Sequence, residues 1–264
     1  MTTLTVDGIL TVANLLGVQV LPPALAVRNT HRTPDLFTAA RAATLSDLRA
    51  DGVLDEEHTV VDDDLAAAFA VLARPERALV LRLRRGNVMT RVCLVRRGFA
   101  HAIAIRAGDG LDVRSVWGDE DPVELAKPLV GVLGRCPPAD VPTLTAPTDD
   151  LRARFDDPAT DHADAAYHLG LSERDATTLG LALREPTALG ELVCYHNDEG
   201  TTAWASRAPA TAAVYDTAAG RVIAGGRIAE DGRAWTTLAP GSDRRLVQVI
   251  AAIIESLPTG RWMP

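Results

Sequence analysis

The sequence has few aromatic residues, few cysteines and no long apolar run. Aromatic residues make up 4% of the 264 residues, whereas hydrophobic residues make up 47%, so aliphatic side chains must fill the core. Cys93, Cys136 and Cys194 are odd in number and far apart, which argues against a disulfide framework and indicates a reduced compartment. The most apolar stretch, residues 15–27, contains two adjacent prolines and is too short to span a bilayer.

Lysine is also scarce, and the positive charge comes almost entirely from arginine. Lys127 is the single lysine, and the formal net charge is -8 with a pI near 5.2. A strongly acidic balance argues against nucleic acid as the main partner. The first ten residues contain Asp7 and no basic residue, so they do not resemble a signal peptide. We therefore expect a cytoplasmic protein without membrane insertion.

The C-terminal stretch carries the strongest structural signal. Residues 222–228 and 233–238 flank a turn at Gly232 and predict a hairpin. A helix capped near Ser242 should follow, because apolar residues recur there at helical spacing. The predicted apolar face consists of Leu246, Val247, Val249, Ile250, Ile253, Ile254 and Leu257. Such a helix needs a sheet to cover.

The first half of the chain predicts helices followed by a strand meander. We expect helices over residues 7–16, from the cap Thr33 to Gly52, and from 62–64 to a stop at Pro75. Residues 18–27 predict a strand split by prolines. The later elements are three strands (78–84, 88–95, 99–106) with turns at 85–87 and 96–98, a strand at 111–116, and a helix capped by Asp121.

The second half repeats this order. Helical segments over 151–169 and 172–184 precede strands at 191–195, 201–207 and 211–215 and the C-terminal hairpin, with a turn at 197–200. We predict one α+β domain spanning residues 1–264. Its quasi-twofold halves, 1–133 and 149–264, would share a central antiparallel sheet and be joined by a Pro-rich linker over 134–148.

Several phrases in this order resemble one protein family. They are TVDGILTVANLLG, VQVLPPAL, VDDDLAAAFAVLARPERALVLRL, YDTAAGRV and EDGRAWTTLAPGSDRRL. Together they resemble the EspG family, the secretion-associated proteins of type VII (ESX) systems in actinobacteria. The resemblance covers nearly the whole length, and it depends on the order and spacing of the phrases.

The resemblance implies a quasi-twofold sheet covered by helices, with helices at its C-terminal side. It also implies a cytosolic chaperone that binds PE–PPE heterodimers at the helical tip of the PPE protein. Such a protein needs no catalytic residue, metal or cofactor, so we expect no enzyme. The turn at Gly86 is shorter than in better-known mycobacterial members, which leaves another helical type VII substrate as an alternative client.

We place the client-binding site on the helices of the second half, over residues 149–184. The candidate residues are Phe155, Asp156, Tyr167, Leu171, Arg174 and Leu181. These helices are weakly amphipathic yet carry several large apolar side chains. The alternative is that the apolar members are ordinary core residues of a helical layer.

Other clusters have structural explanations as well as chemical ones. Asp161, Asp164 and His168 share a helix face and could hold a metal, but we favour a solvated polar face because no fourth ligand lies close in sequence. Residues 195–198 could form an acid–base cluster or a hairpin turn. The pair at 225–226 could approach a ligand or form a bulge.

Two other functions stay open from the residues alone. One is an enzyme with a dispersed site that uses His101, His168 or His196 as base. The other is a scaffold that self-associates through its sheet edge, which would make the protein a homo-oligomer. The sequence lacks the Gly-x-x-x-x-Gly-Lys-Ser/Thr, His-Glu-x-x-His and Gly-x-Ser-x-Gly signatures.

Overall fold

A computed structural model describes residues 3–157, 159–197 and 206–264. In these residues eleven strands form one sheet. They are β1 (Thr3–Thr5), β2 (Arg77–Arg85), β3 (Val88–Arg97), β4 (Ala100–Ala107), β5 (Gly110–Val116), β6 (Leu144–Pro147), β7 (Ala188–His196), β8 (Ser206–Arg207), β9 (Ala212–Thr217), β10 (Gly220–Ile228) and β11 (Ala234–Pro240). The order across the sheet is β1-β5-β4-β3-β2-β7-β9-β10-β11-β6, with β8 paired to β7.

Helices pack on both faces of this sheet. They are α1 (Val6–Leu15), α2 (Pro34–Ala50), α3 (Asp63–Ala73), α4 (Pro122–Leu133), α5 (Thr148–Phe155), α6 (His162–His168), α7 (Glu173–Leu183) and α8 (Asp243–Glu255). Helix boundaries follow the predicted caps: Thr33, Asp62, Asp121 and Ser242 each accept a backbone N–H of the first turn. None of the helices in the described ranges is long and apolar enough to cross a membrane.

The two halves of the chain build the same arrangement. Each contributes an edge strand, then helices, then a meander of four longer strands, then one helix, and the halves meet where β2 pairs antiparallel with β7. Leu81 faces Leu192 at the centre of that pairing. The predicted α+β class with a quasi-twofold antiparallel sheet is confirmed.

One face of the sheet is covered by α4 and α8, which pack on each other. All the predicted apolar residues of α8 lie in or against this core, together with alternate residues of β2, β7 and β9. The opposite face has two separate covers. Helices α1 and α3 bury the first half, and α5, α6 and α7 bury part of the second half.

The turns of the meander are tight. Arg85 pairs with Val88, so Gly86 and Asn87 alone form the first turn. Gly86 has φ 53°, a conformation that costs glycine little. The predicted strands of both meanders are confirmed, with ends that differ by at most three residues. Residues 198–205 lie outside the described ranges, with most of the predicted turn at 197–200 and most of the strand at 201–207.

The predicted strand over residues 18–27 is wrong. This segment crosses over β3 and β4 and contains a short 3-10 helix, Pro23–Leu25, whose Leu25 is buried. The carbonyl oxygens of Leu25 and Ala26 accept hydrogen bonds from the Arg106 guanidinium, at 3.0 and 2.5 Å. An apolar run next to prolines suits a buried loop as well as a strand, and here the prolines decide because they donate no ladder hydrogen bonds.

Two further details differ from the sequence expectations. The Pro-rich segment after α4 ends in a strand, because Leu144–Pro147 pairs with β11 at the sheet edge. The glycines at 225–226 form no bulge, since the pairing of β10 with β11 is unbroken from Val222 to Ile228. A Cβ at Gly225 would collide with Cγ1 of Val249, so this glycine lets α8 approach the sheet closely.

Candidate functional site

An open groove of about 620 Å³ lies on the second half of the sheet, on the face away from α4 and α8. Its floor consists of residues from β9, β10 and β11, including Ala213, Tyr215 and Ala224. Helix α5 forms one wall, and side chains of β2 and β7 lie at the opposite side. Ala213 and Ala224 leave space that larger side chains would fill.

The groove exists because the two halves cover this face differently. In the first half, residues 16–33 connect α1 to α2 and place the 3-10 helix over β3 and β4. In the second half, the corresponding connection between α5 and α6 is the shorter segment 156–161. Strands β9 and β10 occupy the positions of β3 and β4, and their residues line the groove.

Helix α5 is held in place as the groove wall by polar and aromatic contacts. The Thr148 and Thr236 hydroxyls lie 2.9 Å apart, which ties the start of α5 to β11. At the other end of α5, the Phe155 ring stacks on the His162 ring at the start of α6, with centroids 5.5 Å apart. Phe155 thus presents a half-buried aromatic surface at the groove wall.

Charged groups line the side of the groove nearest the sheet centre. Arg82 and Glu191 face each other across β2 and β7 and form an ion pair of 3.3 Å. Burial raises the pKa of the Tyr215 hydroxyl, and the negative charges of Asp156 and Glu191 raise it further. Tyr215 therefore stays protonated and can donate a hydrogen bond into the groove. A floor that includes Ala213, Ala224 and Leu238, bordered by polar and charged side chains, suits binding of a protein segment.

A family model described as the EspG family matches residues 5–252. The chain belongs to the EspG family. Among curated EspG proteins, it is 30% identical to the ESX-1 secretion-associated protein EspG1 of Mycobacterium tuberculosis, an alignment that covers 98% of this chain and 88% of the relative. It is 31% identical to EspG1 of Mycobacterium marinum, with 98% and 89% covered.

A solved structure shares the fold of this EspG-family chain. It is the type VII secretion system chaperone EspG5 of Mycobacterium tuberculosis, solved in complex with a PE25–PPE41 dimer. The TM-score is 0.80 at 20% identity, with 99% of this chain and 98% of that chain covered. At this identity the likeness establishes the architecture.

The candidate residues chosen from the sequence fall into three groups. Phe155 and Asp156 come together at the groove. Leu171 is half-buried against the core under α5–α7, in agreement with the core alternative. The remaining three, Tyr167, Arg174 and Leu181, lie on the exposed outer surface of α6 and α7 and do not line the groove.

Helices α6 and α7 are packed very closely, which fixes this outer surface. A Cβ at Gly180 would collide with the backbone of Ala163. The exposed Tyr167 ring makes an edge contact with His168, at a centroid distance of 5.8 Å. Helices α6 and α7 therefore form one closely packed pair beside the groove.

The groove residues that the sequence missed come from distant strands. Tyr215, Glu191 and Arg82 belong to β9, β7 and β2, and pairing across the sheet centre brings them together. A signal for the floor was present in the alanines Ala213 on β9 and Ala224 on β10. Small side chains on one face of a strand predict an underfilled surface.

The alternative chemical clusters have local structural roles. Asp161 caps α6 by accepting the Ala163 N–H, and it lies 3.5 Å from Arg184. Asp164 and His168 lie 3.4 Å apart on the exposed side of α6. Within the described ranges, no three His, Cys, Asp or Glu side chains are grouped to hold a metal. For the predicted acid–base cluster, His196 is buried and position 198 lies outside those ranges.

His101, another candidate base, is also engaged. Its Nε2 accepts a hydrogen bond of 2.9 Å from Nε1 of the fully buried Trp262. Its Nδ1 lies 3.1 Å from the Phe99 carbonyl oxygen. Because the indole only donates, His101 must be neutral with its proton on Nδ1. This histidine fastens the C-terminal residues to β4.

Proposed function

We propose that this EspG-family chain is a cytosolic chaperone for a type VII secretion substrate, a PPE-like helical protein. The family membership supports this function, as does the shared fold with EspG5, which was solved bound to a PE25–PPE41 dimer. The observation that carries the proposal is the open groove, because it offers an apolar floor and a helical wall to a partner segment.

The physical basis is the masking of an apolar surface. A helical secretion substrate with an exposed apolar end would self-associate, and a specific groove that covers this end keeps it soluble. An interface of about 1,600 Å² suffices for a specific complex. The chaperone forms and breaks no covalent bond, so we propose that it is not an enzyme and needs no cofactor.

We propose that the client end enters the groove beside Phe155 and Asp156. The exposed residues Tyr167, Arg174 and Leu181 would then extend the contact along α6 and α7, and Leu171 would support them from below. Large aromatic and aliphatic anchors surrounded by polar residues are typical of protein interfaces.

The test is co-production with the PE–PPE heterodimers encoded in the same genome. The wild-type chain should co-purify with one heterodimer in equal amounts. Ala224→Trp fills the groove floor and should weaken capture at least tenfold. Ala39→Trp, on the exposed surface of α2, is the matched control and should capture normally. Both variants should melt within a few degrees of the wild type.

Charge reversal tests the placement on the helices. Asp156→Arg and Arg174→Glu change exposed side chains, so they should weaken capture without lowering the melting temperature. If neither these changes nor Ala224→Trp reduces capture, the client binds elsewhere. If the wild-type chain captures no heterodimer, or forms concentration-dependent oligomers instead, the chaperone function is wrong.

A further inference from the structure

Three arginines form a row across adjacent strands of the first half. Arg82 on β2 pairs with Arg91 on β3, and Arg91 pairs with Arg106 on β4. We call these residues the arginine ladder. They lie on the same face as the groove, and Arg82 belongs to both. At the corresponding positions the second half has Val193, Thr211 and Gly226, so the ladder is a feature of one half alone.

The ladder is electrostatically unfavourable in the free protein. Like charges directly opposite each other on paired strands are destabilising. Partial burial lowers the pKa of Arg91, and the positive charges of Arg106, Arg82 and Arg28 lower it further. Such an arrangement lowers the stability of the fold unless an anionic group neutralises the charge.

The partners of the three arginines differ. Arg106 donates to the carbonyl oxygens of Leu25, Ala26 and Gly108.

Arg82 is paired with Glu191 at 3.3 Å. Arg91, by contrast, has no hydrogen bond or ion pair to any residue in the described ranges. Arg28 is exposed and follows the 3-10 helix that lies over β3 and β4, where Arg106 holds the Leu25 and Ala26 carbonyl oxygens. Two guanidinium groups are therefore left to bind anions.

The chemistry favours an acidic protein segment as the ligand. The whole chain carries a net charge of -8, which repels nucleic acid and anionic membranes at long range. A short carboxylate-bearing segment needs only the local positive charge, and guanidinium groups bind carboxylates in a planar, two-pronged geometry. Because the ladder continues the groove at Arg82, one partner can contact both.

We propose that Arg28 and Arg91 bind carboxylates of the same client whose apolar end occupies the groove. This inference rests on the proposed chaperone function for the identity of the partner. It assigns a specificity role to the ladder: the client must carry acidic residues beside its apolar end. The cost of opposed arginines in the free chain is offset when the client supplies the carboxylates.

The first arm of the test uses a probe that does not depend on the client. A fluorescent helical peptide with glutamates at i and i+4 is compared with its glutamine analogue, by anisotropy at low and physiological salt. The wild-type chain should bind the glutamate peptide at least fivefold more tightly, and salt should reduce the difference. Arg28→Gln/Arg91→Gln should remove it. Arg244→Gln, an exposed arginine on α8, should not.

The second arm measures the affinity for the co-purifying PE–PPE heterodimer. The double variant should bind it at least tenfold more weakly and with a smaller salt dependence, whereas Arg244→Gln should match the wild type. The double variant should melt at the same or a higher temperature, because it removes like-charge repulsion.

The two arms separate the possible failures. Equal binding of the two peptides by the wild-type chain overturns the ladder as a carboxylate site. Unchanged heterodimer affinity in the double variant overturns its role in client binding, and the chaperone function stands. Absence of heterodimer binding by the wild-type chain overturns the chaperone function, and with it the role of the ladder in client selection.

Discussion

The two halves of the sheet share a strand order but differ in how their outer face is covered. In the first half, residues 16–33 lay a 3-10 helix across β3 and β4, and Arg106 fixes it there. In the second half, the shorter connection 156–161 leaves β9 and β10 as the floor of a groove. The length of one connection thus decides which half carries an open groove.

The halves also differ in the polar pairs at their inner turns. In the first half, Arg96 faces His101 across β3 and β4. In the second half, Asp216 faces Arg221 across β9 and β10. His101 and Arg221 therefore occupy equivalent positions in the two halves, although their side chains differ in chemistry.

One residue of each pair forms hydrogen bonds near the C-terminal end of the last helix of the other half. His101 accepts a hydrogen bond from Trp262, which follows α8. Arg221 donates to the carbonyl oxygens of Leu133 and Gly134 at the end of α4, at 3.1 and 3.3 Å. These reciprocal bonds lock the halves together.

The largest effect is expected at the buried ion pair. Arg221 binds Asp216 at 2.6 Å with both side chains almost fully buried. Burial lowers the pKa of Arg221, but the Asp216 carboxylate outweighs this and raises it overall. Asp216→Ala should therefore lower the free energy of unfolding by about 3–5 kcal/mol, since it leaves a buried charge unpaired. Urea titration measures this directly.

Glu76→Ala is the matched change in the first half. Glu76 pairs with the buried Arg96 at 2.8 Å, but its own side chain is 46% exposed. Water can replace part of this contact, and the Gly98 carbonyl oxygen still accepts from Arg96. We expect a smaller loss than at Asp216. Equal losses would mean that burial does not distinguish the two pairs.

The second effect concerns how closely α8 packs on the sheet. Gly225→Ala would place a methyl group against Val249, and overpacking of this kind costs about 1–3 kcal/mol. The same change in a Val249→Ala background should cost less, because the shorter side chain makes room. Thermal unfolding of the four proteins gives the coupling. Purely additive losses would contradict direct contact as the cause.

The smallest effect is the pH dependence at His101. Burial lowers the pKa of His101, Arg96 lowers it further, and the Phe99 carbonyl and Asp119 oppose this. The stabilising contribution is therefore complete above the unfolded histidine pKa of about 6.5 and is lost as the pH falls below it. The melting temperature of the wild type should fall by a few degrees between pH 7.5 and 5.5.

His101→Gln provides the comparison, because glutamine accepts a hydrogen bond and does not titrate. Its melting temperature should change less over the same pH range. Trp262 fluorescence should report the difference, since protonated His101 cannot accept the indole N–H. The same pH slope in both proteins would show that other groups control acid sensitivity.

The sequence predicts the strands and helices well where local signals agree. Period-two alternation bounded by Gly86 and Gly98 predicts the first meander, and the caps at Thr33 and Ser242 predict helix starts. It fails for residues 18–27 and 144–147. Both segments contain or adjoin prolines, yet residues 18–27 form a loop with a 3-10 helix and residues 144–147 form an edge strand. Pairing with distant strands decides these outcomes, and the local sequence does not show it.

The candidate site is predicted in part for a similar reason. Phe155 and Asp156 are found because they lie at the end of a recognisable helix. The floor and the far side are not found, since Arg82, Glu191 and Tyr215 meet only through long-range strand order. The groove itself depends on the relative length of two connections, which no local pattern reveals.

Hydrogen–deuterium exchange with and without a captured PE–PPE heterodimer tests the central claim most directly. The account predicts slower exchange in α5, in the segment 156–161 and in the adjoining part of β11, with little change in α4 and α8. Protection confined to α4 and α8, or to α1 and α2, would contradict the assignment of the open half as the binding half.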